Sequence, residues 1–228
     1  MRRVAQTFTM ISLLTAPAAA HADSHSPVHW PGGFVSRVEL LALIETLNAD
    51  LLAARSATAT LEKWCADHKL APEPKIIARP IEGAAKAPGE ETLRRLGVAG
   101  PEAVKYRHVE LACGAHVLSR ADNWYVPARL PEETNRLLET TQTPFGKAIA
   151  PLQPWRRTVD AKILWSPLPA GWEMKTAPDA AREDAGGIDV APDIIEHRAI
   201  VFSNDNKPVS EVVETYAGEA LDFAPRQD

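Results

Sequence analysis

Between Ser36 and Lys69 apolar residues recur every three or four positions: Val38, Leu41, Ile44, Leu47, Leu51, Leu52, Leu61 and Trp64. That period matches a helical turn and predicts one long or two consecutive amphipathic helices. Asn48, Asp50 and the run Arg55-Ser56-Ala57-Thr58 supply short polar side chains that cap or break them midway. Lys75 to Ile81 predicts a short strand. Glu82 to Gly100, rich in Gly, Ala and Pro, predicts a loop holding one small helix around Glu90 to Leu96.

From Ala103 to Cys113 the pattern switches to alternation, with Val104, Tyr106 and His108 followed after one slip by Val109, Leu111 and Cys113. This predicts a strand with a bulge at the slip. A turn at Gly114-Ala115 leads into a second extended run, His116 to Val126, so the two form a hairpin. Glu132 to Glu139 predicts a short helix, and Pro144 to Ile149 another with proline in its first turn. Thr158 to Trp165 and Glu196 to Ser203 predict strands joined by a Pro-, Gly- and Asp-rich surface excursion, Ser166 to Pro192. After the turn Asn204 to Lys207, Pro208 to Tyr216 completes a second hairpin. The sum is an antiparallel sheet with helices packed mainly on one side, an α+β layout without internal repeats.

The first residues carry a different message. Arg2 and Arg3, the mostly apolar Val4 to Ala20, and the small residues around Ala20-His21-Ala22 have the three regions of a secretory signal peptide. Gln6, Thr7, Thr9, Ser12 and Pro17 interrupt the apolar part, which falls short of the ~20 residues a membrane span needs. The expectation is a signal over residues 1–22, a single domain over 23–228, no stable membrane insertion after cleavage, and a periplasmic or secreted location. Losing Arg2 and Arg3 takes the net charge from -5 to -7, and no Lys/Arg cluster remains, so nucleic acid is not an expected partner. The two cysteines, Cys65 and Cys113, are free to pair in an oxidising compartment. Their separation leaves open whether they form a disulfide or stay as two buried thiols.

Several blocks resemble one family in order and spacing. Lys105 to Cys113, then Trp124-Tyr125-Val126-Pro127, then Thr143-Pro144-Phe145-Gly146-Lys147 are similar to the middle of chorismate lyase. His197 to Phe202, the turn through Lys207-Pro208, and Val213-Glu214-Thr215-Tyr216 resemble its last hairpin, and Arg55 to Thr58 resembles the helical segment that covers its ligand. The resemblance implies a chorismate lyase-like fold and loss of pyruvate from chorismate to leave 4-hydroxybenzoate, with no cofactor. The same fold in the UTRA domains of bacterial regulators binds small molecules and catalyses nothing, so fold does not decide function. Two expectations follow: a carbon–oxygen lyase of the chorismate pyruvate-lyase type, or a non-catalytic periplasmic protein binding a small aromatic or hydroxylated carboxylic acid. Both imply a small anionic aromatic ligand.

By the same resemblance Arg107 holds the ring carboxylate, for which the planar guanidinium fork is suited. Glu214 matches the family glutamate if the turn Ser203 to Lys207 is one residue longer here; otherwise that position falls on Val213. Glu211, three residues earlier, points to the other face of a regular strand, so one of the two enters the site. A carboxylate there in apolar surroundings stays protonated and donates to a substrate oxygen, whereas the plain alternative is two solvated strand glutamates. Phe145 is an apolar wall or a core residue, and Gly146 leaves room for a close backbone approach. Ala57 stands where the lyase has a larger apolar residue, widening the site. Arg156 and Arg157, ahead of a strand, either add charge near the site or, as the plainer reading, form an exposed pair, and His108 and His116 lack the spacing of metal ligands.

Overall fold

The computed structural model describes residues 29–175 and 187–223; the expected signal peptide lies outside them. The helical stretch is two helices, α1 (Phe34–Ala53) and α2 (Ala57–Asp67), parted by an extended Ala54. Ser56 is the break, because its hydroxyl caps α2 by accepting from the Ala59 amide at 3.3 Å. The remaining elements are β1 (Ile76–Pro80), α3 (Glu90–Leu96), β2 (Lys105–Cys113), β3 (His116–Tyr125), α4 (Glu132–Thr140), α5 (Phe145–Ala148), β4 (Trp155–Ile163), β5 (Asp193–Phe202) and β6 (Pro208–Ala217).

All strand pairs are antiparallel, in the order β1-β2-β3-β6-β5-β4. The two hairpins meet at β3 and β6, so residues far apart in sequence become lateral neighbours. Pairing of Arg107 with Asn123, and of Asn123 with Val212, puts these three on one face. The next row of that face, two residues on, holds Val109, Ala121 and Glu214. The main core lies on this face, where Leu40, Ile44, Leu47 and Leu51 of α1 and Leu61 and Trp64 of α2 bury against Ile76, Leu111, Leu118 and Ala199. A smaller cluster joins Tyr125, Leu138, Ile149 and Val209 at the end where α4 and α5 sit.

The opposite face carries α3, with Leu96, Trp124 and Val126 at its centre and Tyr106 and Val213 beside them. This revises the expected slip in β2: Lys105 to Leu111 alternates without a break, and the register shift comes at Leu111/Ala112. Tyr106 looked out of step only because α3 gives that face an apolar patch of its own. The strand expected from Thr158 starts three residues earlier, at Trp155, and carries a shift between Thr158 and Asp160. The described ends of the excursion return to the core, with Leu168 and Ile188 buried and Trp30 bridged to Ile188.

Cys65 and Cys113 form a disulfide that joins α2 to β2 across 48 positions. Lys147 of α5 is ion-paired to Glu62 of α2, a second fastening of the same helix. Among the described residues no helix is long and apolar enough to cross a membrane.

Candidate functional site

Between the helix-bearing face of the sheet and the starts of α2 and α5 lies a cavity of about 630 Å³, counted out to its open mouth. Its floor is Arg107, Val109, Ala121, Asn123, Val212 and Glu214; Ser56, Ala57 and Thr58 roof it, and Phe145 and Gly146 form one wall. Five of the six residues expected at a ligand site, Arg107, Glu214, Ala57, Phe145 and Gly146, therefore line a single cavity. Gly146 is needed there for a reason the sequence did not suggest. A Cβ on it would come within 3.0 Å of Thr58 Oγ1 and 3.1 Å of Ser56 Oγ, so it lets the roof close down on the wall.

Glu211 is the exception and a correction. Its carboxylate is wholly buried on the other face, beneath α3. Arg95 grips it with Nε at 2.8 Å and Nη2 at 3.0 Å, Arg198 adds Nη1 at 2.6 Å, and Thr92 Oγ1 donates at 3.2 Å. An odd number of steps along a strand separates it from Glu214, so the two cannot share a face. Burial works against its charge, but the two arginines outweigh burial and hold its carboxyl below the usual range. Glu211 is a structural anchor for α3.

Arg107 is half-buried in the floor, and its Nη2 donates to the Thr143 carbonyl at 3.1 Å. No carboxylate pairs with it among the described residues. Burial depresses its pKa, while the neighbouring Tyr125 acts the other way. Arg55, exposed at the rim, also lacks a carboxylate partner among the described residues.

Glu214 is not in the apolar surroundings expected of it. Arg156 Nη1 lies 3.0 Å from its Oε2, and the Tyr216 hydroxyl donates to the same oxygen at 3.0 Å. Arg156 itself was expected to be exposed, yet its side chain is only 5% exposed and lines the cavity. The reason is the early start of β4, which turns Arg156 toward the helix-bearing face and leaves Arg157 outside, stacked over Phe202 at 5.4 Å. Burial opposes the charge of Arg156, but Glu214 outweighs it and raises the pKa. Behind this pair the pKa of His197 is held below its ordinary value, first by burial and then by Arg156, and Asn48 Oδ1 of α1 lies 2.9 Å from its Nε2. The sequence offered Arg156 and Arg157 together as charge near the site; which of the two turns inward is decided by the strand register.

The chain is 45% identical over 221 residues to "Uncharacterized protein y4mC" of Sinorhizobium fredii, an alignment covering 95% of this chain and 92% of that protein. No family model matches it. Among solved structures, PhnF from Mycobacterium smegmatis aligns at 13% identity and a TM-score of 0.45, covering 91% of this chain and 95% of that one. The effector domain of PhnF aligns at 14% and 0.41 over 68% and 88%, and a GntR-family transcriptional regulator from Bacillus cereus at 12% and 0.38 over 67% and 99%.

Proposed function

We propose that this chain, which belongs to one family with the Sinorhizobium fredii protein y4mC, is an exported protein that binds a small aromatic or hydroxylated carboxylic acid. The observation that carries this reading is Arg107, a half-buried guanidinium in the cavity floor that donates to a carbonyl and is paired with no carboxylate among the described residues, Glu214 of the same floor being taken by Arg156. A buried cation without a counter-ion is costly, and an acid ligand relieves that cost by supplying two parallel charge-assisted hydrogen bonds. Val109, Leu111, Phe145 and Ile149 give an aromatic ring apolar contact beside it. Export is supported by the Cys65–Cys113 disulfide, which belongs in an oxidising compartment, and by the signal-like first 22 residues.

A lyase reading is favoured by one observation, that Arg107 and Glu214 face the same cavity, as the resemblance to chorismate lyase implies. The commitment of Glu214 to Arg156 and Tyr216 argues against its serving as a proton donor, so binding without turnover is the better reading. Purified protein is heated with and without 4-hydroxybenzoate, and incubated with chorismate while pyruvate is followed. A ligand at 100 times its Kd adds about 2.7 kcal/mol of stability. The expected result is a thermal shift lost in Arg107→Ala and no pyruvate above that variant. Absence of a shift at millimolar acid rejects the binding reading; pyruvate release above the control replaces it with the lyase.

A further inference from the structure

Asn123 stands mid-sheet, with β2 on one side and β6 on the other, and lines the cavity floor although it is only 4% exposed. The hydroxyl of Ser210, wholly buried on β6, donates to its Oδ1. That bond fixes which way round the amide sits and leaves the NH2 group over. Nδ2 has no acceptor among the described residues, yet it is not sealed off: it keeps accessible surface, and the space beside it is the cavity. Its neighbours on the floor cannot take a proton from it. Arg107 is itself a donor, Val109, Ala121 and Val212 are apolar, and Glu214 in the next row is bonded to Arg156 and Tyr216. Buried donors normally find acceptors, so a free one facing a cavity marks where an oxygen of the occupant sits.

We propose that Nδ2 of Asn123 donates to a further oxygen of the ligand, carried on the ring beside its carboxyl group. This rests on the reading that Arg107 holds the carboxylate. Arg107 and Asn123 are directly opposite each other across β2 and β3, a pairing that starts two side chains only about 5 Å apart. An aromatic acid lying on the guanidinium therefore presents its ortho or meta position to the amide. A para substituent projects from the far side of the ring, away from both. An amide N–H asks only for a lone pair, so a hydroxyl, ether or carbonyl oxygen satisfies it. The ligand class is thus an aromatic acid oxygenated near its carboxyl, and an acid bare of oxygen there leaves Nδ2 unmet.

The test sets the ortho-, meta- and para-methoxybenzoates against the ethylbenzoates of the same shape, by titration calorimetry on the purified, disulfide-intact protein. An ether oxygen accepts but cannot donate, so the comparison reads the amide of Asn123 and not the carboxylate of Glu214. The ortho- or meta-methoxy acid is expected to bind about tenfold more tightly than its ethyl counterpart, the scale of one buried hydrogen bond. The para-methoxy acid should gain nothing over its own. Asn123→Leu, similar in size and without a donor, should bring the ratio to about one, with binding of the ethyl acids still seen as the sign of an intact cavity. That variant strands the Ser210 hydroxyl; if it does not fold, the double variant Asn123→Leu with Ser210→Ala removes both partners and is read in the same way. Equal affinities within every pair, a preference confined to the para position, or a preference that survives in the variants overturns the proposal while acid binding stands. Failure of every acid to bind at millimolar concentration overturns the acid-binding reading as well.

Discussion

Glu211 and Glu214 stand three positions apart on β6 and end in opposite surroundings, one locked under α3 and the other at the floor of a cavity. The alternation of a strand was legible and required that they part. Which one faced the cavity was not, because that is decided by Arg95 and Arg156 from distant segments together with Arg198 across the β5–β6 hairpin. Glu211→Gln is expected to cost about 2 kcal/mol, the scale of charged hydrogen bonds, since Arg95 and Arg198 are partly exposed and recover some hydration. Urea unfolding checks it, and acid binding should be unaffected because the residue lies on the far face. Ala57 is the converse case. Its small side chain leaves space over the floor, and Ala57→Leu is expected to weaken acid binding by about tenfold through overpacking of the roof. Titration calorimetry against 4-hydroxybenzoate measures the effect.

Secondary elements were the most legible part of the chain. The Ser56 cap, the hairpin turn at Gly114 and the proline before α5 are local signals, and α3, β1, β2, β3 and β6 fall within a residue or two of where the pattern puts them. The start of β4 was missed because Trp155, Arg156 and Arg157 carry no alternation of burial that hydropathy detects; a large polar side chain occupies an inward position. The disulfide was left open by spacing and is decided by tertiary geometry, which brings α2 over the end of β2. Its closed loop of 48 positions restricts the unfolded chain by about 4 kcal/mol in the chain-entropy description. The double variant Cys65→Ser with Cys113→Ser is expected to lose most of that, seen as a lower urea midpoint with an unchanged helical signal in native buffer.

At the scale of the molecule the antiparallel α+β layout was readable, and the meeting of two distant hairpins at β3 and β6 was not, since nothing local records which edges pair. The same meeting sets how stability responds to acid. His197 is held below its ordinary value of 6.5 by burial and by Arg156, so the folded state resists a proton that the unfolded chain accepts. Its contribution is complete above that value and is lost as pH falls below it. Glu211 is held below its ordinary value of 4.5, so its contribution is complete above 4.5 and is lost as pH falls through the lower folded value. Stability is therefore expected to decline in two stages on acidification, and His197→Gln should remove the first while sparing the second; urea midpoints from pH 8 to pH 3 resolve them.

Cys113 shares β2 with Arg107, and Cys65 belongs to the helix whose first residues lie over that arginine. Lid and floor are thus riveted to each other at one end, like a hinged box with its hinge made covalent. Guests should come and go at the opposite end, through the joint at residues 54–56 where α1 hands over to α2, with the long body of α2 staying seated throughout.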